Sequence, residues 1–175
     1  SFIRINSIFT KFNIEMARPL DEIDHKILRI LQERGRISNI ELSREIELSP
    51  APTLERVRKL EKLRIIEGYH AELSLAKMGI TIKAFIQITL LHQQENRIHQ
   101  FIEAIMKIPE VVACHQVTGE FDYQLKVFTA DIGSLDRLIT DRISKIPEVG
   151  HIKSHIILSE IKHSHVLPVM SEMVE

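Results

Sequence analysis

Apolar residues at helical spacing predict three short helices between residues 17 and 64. The first has one apolar stripe, made of Leu20, Ile23, Ile27, Ile30 and Leu31. A capping-box sequence, Ser38-Asn39-Ile40-Glu41, begins the second helix. Ser49-Pro50 begins the third, with serine as the N-cap and proline at the first helical position. We therefore expect a small helical domain over residues 17–64.

The third predicted helix has a basic face opposite its apolar one. Its predicted buried positions are Leu54, Val57, Leu60 and Leu63. Between residues 49 and 64 the acidic residues are Glu55 and Glu61, and the basic residues are Arg56, Arg58, Lys59, Lys62 and Arg64. Three short helices with a tight turn before the last match the helix-turn-helix arrangement, whose last helix enters the major groove of DNA. The alternative is a charged face that is only solvated.

The residues expected to contact double-stranded DNA lie at the start of the second helix and along the third. They are Ser38, Asn39, Ser49, Ala51, Pro52, Glu55, Arg56, Arg58, Lys59 and Lys62. Basic side chains there would meet phosphates or base edges. Residues 65–81 follow as a linker, in which the sequence from Ile65 to Leu73 resembles a strand that forms a wing or hinge.

Strand and helix patterns follow each other twice in residues 82–163. The sequence Lys-Ile-Pro-Glu-Val occurs at residues 107–111 and again at 145–149, each time between an amphipathic helix and a strand. Strands are predicted over residues 82–90, 111–117, 123–128 and 152–161. The order βαββαβ predicts a ferredoxin-like domain, with two helices on one face of an antiparallel sheet. The expected fold class is therefore α+β.

The last predicted strand has apolar residues on both of its faces. They are Ile152, Ile156, Ile157, Leu158 and Ile161. Because helices cover only one face of such a sheet, we expect a second subunit to cover the other. Residues 164–175 are expected to be a C-terminal tail. Residues 1–16, whose apolar side chains are scattered, are expected to be an extension or disordered tail.

Composition narrows the class of protein. The 175 residues include 23 Lys and Arg and 24 Asp and Glu, which excludes a uniformly basic nucleic-acid coat but allows one basic helix. The single cysteine, Cys114, fits a reducing compartment, so we expect a cytoplasmic location. No apolar run approaches the roughly 18 residues of a membrane span. The absence of Trp argues against a protein that stacks single-stranded bases.

Several separate motifs resemble the Lrp/AsnC family of transcriptional regulators. They are residues 20–28, 35–43 and 48–61, followed by Ile66-Glu67-Gly68-Tyr69 and Gly119-Glu120-Phe121-Asp122-Tyr123. The resemblance spans about residues 20–163 and implies a DNA-binding regulator that responds to a small effector, commonly an amino acid. It also implies homodimers that assemble further through residues 82–163, often to octamers. One departure is Glu47, where many members have glycine.

The resemblance also implies an effector site. The family's Gly-acidic-aromatic-Asp turn maps onto the segment made of Thr118, Gly119, Glu120, Phe121 and Asp122. Glycine lets a ligand approach the backbone, and an acidic side chain can accept a hydrogen bond from an α-ammonium group. The alternative is a plain turn between two strands.

The nine histidines of the chain could bind a metal ion or take part in catalysis. No thiolate partner or His-Glu-x-x-His sequence accompanies them, so we expect no metal site, no cofactor and no catalytic residue. His115, His151 and His155 leave open a decarboxylase of haem biosynthesis, an enzyme class similar in fold to this family. The other alternative is an oligomeric scaffold that does not bind DNA.

Overall fold

The computed structural model describes residues 20–91 and 94–167, which divide into two compact units. We call residues 20–71 and 162–167 the helical unit and residues 72–161 the sandwich unit. The expected N-terminal extension and the part of the expected C-terminal tail beyond Leu167 lie outside the described residues.

The helical unit contains the three predicted helices. Helix α1 spans Glu22–Glu33, α2 spans Asn39–Glu45 and α3 spans Pro50–Lys62. The predicted capping box is present, since the Ser38 side chain accepts from the Glu41 amide and the Glu41 side chain accepts from the Ser38 amide. Ser49 occupies the predicted N-cap of α3, although its side chain makes no capping hydrogen bond. The buried apolar core of this unit comprises Ile27, Leu42, Ile46 and Leu60.

The buried face of α3 differs from the prediction. Thr53 and Leu60 are buried, whereas Leu54 and Leu63 remain 38% and 45% exposed. Thr53 can enter the core because its hydroxyl donates to the Ser49 carbonyl oxygen at 2.9 Å, which satisfies its polar group inside the helix. At the start of α3 the buried stripe therefore includes Thr53 in place of Leu54, while Leu60 is buried and Val57 packs against the core as predicted.

The predicted strand over residues 65–73 is wrong. Among the described residues this segment pairs with no strand, and its residues from 67 to 73 are irregular. A strand is stable only when neighbouring backbone groups complete its hydrogen bonds, and the helical unit provides none. A short 3₁₀ turn, Ala76–Met78, precedes the first strand of the sandwich unit.

Helices α2 and α3 end in the same backbone arrangement. Glu47 and Arg64 have φ angles of 58° and 57°, in the left-handed region. After α2, the Leu48 N–H donates to the Ser43 carbonyl at 2.9 Å and the Glu47 N–H donates to the Arg44 carbonyl at 3.3 Å. After α3, Ile65 and Arg64 donate in the same way to Leu60 and Glu61. These are Schellman motifs, in which glycine normally takes the left-handed position.

The sandwich unit has the predicted βαββαβ order. It consists of β1 (Ile82–Leu90), α4 (Glu95–Met106), β2 (Val111–Gln116), β3 (Tyr123–Thr129), α5 (Ile132–Arg137, continued by π-helical Leu138–Ile143) and β4 (Val149–Ile156). The strands form one antiparallel sheet in the order β2-β3-β1-β4. The fourth strand ends at Ile156, five residues before the predicted end at Ile161.

Alternate residues of the two central strands face the helices. On β1 the buried positions are Ala84, Ile86, Ile88 and Leu90, as the alternation predicts. Ile86 lies opposite the buried Leu125 of β3. The helices contribute buried residues such as Phe101 of α4, whose ring centroid lies 4.8 Å from that of Tyr123. The period of two in the strands thus fixes which sheet face receives the helices.

The other side of the sheet is mixed in character, and we call it the outer sheet face. By register it comprises Lys83, Phe85, Gln87 and Thr89 of β1, Gln124, Lys126 and Phe128 of β3, Ala113 and His115 of β2, and His151, Lys153 and His155 of β4. Ile152 and Ile156 of β4 lie opposite Ile88 and Ala84, on the helix side. The second apolar parity predicted for β4 belongs to Ile157 and Ile161, which follow the strand. Ile157 is half-buried, whereas Ile161 and its neighbour Leu158 are 92% and 95% exposed.

Glycine at position 47 should stabilise the helical unit. A β-carbon in the left-handed region costs roughly 1–2 kcal/mol, part of which glycine returns through unfolded-state entropy. We expect Glu47→Gly to raise the free energy of unfolding by about 0.5–1 kcal/mol in urea titrations of the full-length protein. Arg64→Gly should behave alike. The control Arg44→Gly lies inside right-handed α2 and should lower the free energy of unfolding by about 1 kcal/mol. If Glu47→Gly instead lowers the free energy of unfolding, Glu47 is not strained in its left-handed conformation.

Candidate functional site

Helix α3 exposes a group of basic side chains. Arg58, Lys59 and Lys62 are all exposed, and within residues 20–91 and 94–167 none of them forms an ion pair. Lys59 and Lys62 lie in the last turn, where the helix dipole favours positive charge. Glu55 is also exposed on this helix. The arrangement leaves three cations available to a polyanion.

The first turn of α3 has a different surface. Pro50, Ala51 and Pro52 are exposed, and the partly exposed Leu54 follows them. Small apolar groups at the start of a recognition helix can contact the methyl group of thymine, while basic groups further along contact phosphates. The N-terminal half of α3 is thus suited to base edges and the C-terminal half to the DNA backbone.

Arg56, also predicted to contact DNA, is engaged inside the helical unit. Its guanidinium lies 2.7 Å from carboxylate oxygens of both Asp21 and Asp24 of the α1 N-terminal region. Asp24 is buried, with 3% of its surface exposed. The amide of Asp24 and then the Arg56 guanidinium hold the pKa of Asp21 below its usual range. Arg56 therefore joins α3 to the start of α1.

Ser38 and Asn39 fix the start of α2. Hydrogen bonds from the Ser38 hydroxyl and amide lower the pKa of the Glu41 carboxyl. The Asn39 side-chain amide donates to the Pro50 carbonyl at 2.8 Å, which joins the beginnings of α2 and α3. The structure thus brings the residues predicted at the DNA surface together in one motif, while three of them, Ser38, Asn39 and Arg56, make contacts that position its helices.

The predicted effector turn joins β2 and β3. Gly119 has a φ of 119°, and a β-carbon placed there would meet no atom within 4 Å. Thr118 and Glu120 are exposed, and Phe121 is half-buried with the Lys153 ammonium 5.7 Å from its ring centroid. The turn therefore presents an open backbone segment beside one exposed carboxylate.

Asp122 has a structural task in this turn. Its carboxylate accepts a hydrogen bond from the Leu90 amide at 2.8 Å, and its own amide donates to the Ile88 carbonyl at 3.0 Å. The Asp122 carbonyl accepts from the Val117 amide at 3.0 Å, which closes the turn. The side chain predicted as an effector ligand thus also holds the end of β1.

The histidines that suggested an enzyme do not form a cluster. His115 lies on β2, at one edge of the sheet, and His151 and His155 lie on β4, at the other. Three strand spacings separate the two edges, a distance of about 14 Å. These side chains are therefore too far apart to act on one small group within a single chain.

Some contacts at the site were missed from the sequence. The sequence analysis did not predict that Asp21 and Asp24, at the start of α1, bind Arg56. Their signal was present in the spacing, since two carboxylates three residues apart lie on one helix face. Only the fold shows that an arginine 32 and 35 residues later reaches them. No helix within residues 20–91 and 94–167 is long and apolar enough to cross a membrane.

Comparisons with known proteins agree with both units. A model of the AsnC-type helix-turn-helix domain matches residues 20–61, and a model of the Lrp/AsnC ligand binding domain matches residues 83–167. The leucine-responsive regulatory proteins of Klebsiella pneumoniae and Escherichia coli are 38% identical to this chain over 153 residues, which is 87% of this chain and 93% of theirs.

Solved structures give the same result. A transcriptional regulator from Neisseria meningitidis, in complex with L-methionine, has a TM-score of 0.85 and 35% identity, covering 89% of this chain and 100% of its own. An AsnC-family regulator from Agrobacterium tumefaciens has a TM-score of 0.82 and 30% identity, with the same coverage. With its helix-turn-helix domain and its ligand-binding domain in this order, the chain belongs to the Lrp/AsnC family of effector-responsive, DNA-binding transcriptional regulators.

Proposed function

We propose that this regulator contacts double-stranded DNA through the exposed face of α3 and binds an amino acid at the turn formed by residues 118–122. Amino-acid binding changes its affinity for DNA or its oligomeric state. The protein acts in the cytoplasm, where a half-buried thiol such as Cys114 stays reduced.

The proposed DNA-binding surface is supported by a difference among the basic residues of α3: one forms ion pairs within the protein, and three are exposed without them in the part that the structure describes. Arg56 is occupied by two carboxylates, whereas Arg58, Lys59 and Lys62 are exposed and without ion pairs in the described part of the chain. Three such cations on one helix can bind phosphates without first breaking an ion pair within the described part of the protein. Ser49, Ala51, Pro52 and Glu55 lie toward the start of the same helix, where they are placed to meet base edges.

Removal of two cations from α3 should abolish operator binding at physiological salt without unfolding the protein. If Arg58 and Lys59 each neutralise one phosphate, Arg58→Ala with Lys59→Ala should lower the slope of log affinity against log salt by about 2. Titrations of DNA from upstream of the protein's own gene, followed by fluorescence anisotropy at several salt concentrations, measure both quantities.

The matched control removes two exposed cations of the sandwich unit, Lys77 and Lys107. It should leave the salt slope unchanged. An unchanged slope in the Arg58 and Lys59 variant would refute the proposed contact surface. A wild-type protein that binds none of this DNA would favour the scaffold alternative.

The proposal of an amino-acid effector rests on the chemistry of the turn and on a relative. The Neisseria meningitidis structure is a complex with L-methionine. In this chain, the exposed Glu120 carboxylate is able to accept a hydrogen bond from an α-ammonium group, and the open backbone at Gly119 is able to approach an α-carboxylate. Asp122 contributes by holding the turn against β1.

Substitutions of Glu120 and Asp122 distinguish a contact with the amino acid from a contact that only holds the turn. Glu120→Gln keeps the size of the side chain and removes its charge, so we expect amino-acid affinity to fall by about 1.5–3 kcal/mol. Asp122→Asn retains an oxygen for the Leu90 amide and should have the smaller effect. Calorimetry across the common amino acids measures both variants beside Glu95→Gln, an exposed control on α4. An amino acid that binds wild type and Glu120→Gln equally well would place the pocket elsewhere.

We also propose that the sandwich unit forms the homodimer, which assembles to an octamer. Leu158 and Ile161 are almost fully exposed after β4, and Phe85 and Phe128 are only half-buried on the outer sheet face. Apolar groups left in water by a single chain favour contact with another copy. Oligomerisation is typical of the family, so a second copy is the simplest cover for these residues.

Charges at the end of β4 should weaken assembly without disturbing the fold. Because Leu158 and Ile161 contact little in the single chain, Leu158→Glu with Ile161→Glu should leave the unfolding midpoint nearly unchanged and shift the mass measured by light scattering toward smaller species. Met106→Glu, at a 78% exposed position on α4, is the control. A double variant with the wild-type mass would contradict this placement of the subunit contact.

A further inference from the structure

A cleft of about 360 Å³ in the helical unit has no role in the functions described above. It lies between α1, which contributes Leu28 and Leu31, and the chain after α3, which contributes Ile65, Ile66 and Tyr69. These residues make its walls largely apolar. The Tyr69 hydroxyl donates to a Glu61 carboxylate oxygen at 3.0 Å, which fixes one wall of the cleft. An apolar cleft of this size favours occupation by apolar side chains.

The C-terminal segment of the chain already lies at this cleft. Leu167 is one of its lining residues, and the Leu167 amide donates to Gln32 Oε1 at 2.6 Å. Gln32 Nε2 in turn donates to the Leu167 carbonyl at 3.4 Å. One side-chain amide therefore pairs with both backbone groups of a single residue, as a neighbouring strand would. This contact recognises an extended segment through its backbone and leaves its side chains to be selected by the cleft.

We infer that the cleft is a docking site for the chain's own C-terminal segment, with the Leu167 backbone as its anchor. Leu167 is 71% exposed, so it does not fill the cleft by itself. The sequence continues with Pro168, Val169 and Met170, three apolar residues that directly follow the anchor. Their chemistry matches the cleft walls, and their covalent attachment to the anchored residue makes their local concentration high.

The docked segment bears on the helix that is proposed to contact DNA. Ile65 and Ile66 of the cleft wall follow Arg64, the left-handed residue that ends α3. The chain leaves the helical unit after Ala71 and returns to it at Lys162. The backbone therefore connects the two units twice, and docking would hold the second connection at the cleft wall that follows α3.

The anchor is tested in the full-length protein by hydrogen exchange of the Leu167 amide, followed by NMR. In wild type this amide should be protected, because Gln32 accepts its hydrogen bond. Gln32→Ala should speed its exchange at least tenfold, whereas Gln100→Ala, at an exposed glutamine of α4, should leave it unchanged. Val169→Asp should also speed exchange, because it puts a charge against an apolar cleft. This second variant leaves Gln32 and the described residues unchanged, so it keeps the test valid if Gln32→Ala folds poorly.

Mixed oligomers decide which chain provides the segment. Labelled wild-type chains are exchanged with an excess of unlabelled Gln32→Ala chains, and only the labelled amides are observed. Protection of Leu167 should persist, because each labelled segment meets its own Gln32. Protection that falls as the variant fraction rises would assign the cleft to a partner copy and overturn the inference, as would an unprotected Leu167 in wild type. No DNA or effector enters the experiment, so its outcome is separate from the proposed function.

Discussion

The position of α3 depends on an ion pair that crosses the helical unit. Arg56 of α3 reaches two carboxylates at the start of α1, and one of them, Asp24, is almost fully buried. A buried carboxylate without a cation is strongly unfavourable, so Asp24 is stable in its buried position only when Arg56 is beside it. The same contact holds the Arg56 side chain in one position. The pair restricts both the rotation of α3 about its axis and its distance from α1. Because the orientation of α3 is restricted, the side of the helical unit on which its exposed basic residues lie is also set.

Backbone hydrogen bonds complete the same motif at its ends. Asn39 joins the starts of α2 and α3, and the Schellman motifs at Glu47 and Arg64 end both helices. Non-glycine residues in left-handed conformations cost stability, yet the four backbone groups of each Schellman motif then satisfy one another without water. The helix-turn-helix is thus held by polar contacts at its corners around a small core of Ile27, Leu42, Ile46 and Leu60.

The sandwich unit relies on a different principle. Buried apolar residues alternate with more exposed residues along its two central strands. The apolar face of the sheet packs against α4 and α5, while the outer sheet face carries lysines, histidines and two phenylalanines. The same register puts the turn of residues 118–122 at the end of the sheet, where Asp122 fastens it to β1. Regular strand packing therefore supports an exposed turn whose remaining side chains are available to a ligand.

The sequence by itself determined the order of elements, because helical and strand periodicities are local. The three short helices, the capping box at Ser38, the βαββαβ order and the buried parity of β1 all follow from residues close together in the chain. The family resemblance marked position 47, where many members have glycine, and Glu47 has a left-handed backbone there. Only the tertiary structure showed that Thr53 rather than Leu54 is buried at the start of α3, because Thr53 enters the core through a hydrogen bond that apolar spacing does not record. It likewise showed that residues 65–73 pair with no strand among the described residues, that Arg56 binds the start of α1, and that Gln32 contacts Leu167, 135 residues later in the chain. These facts depend on which distant groups meet, and a pattern read along one chain contains no distance between them.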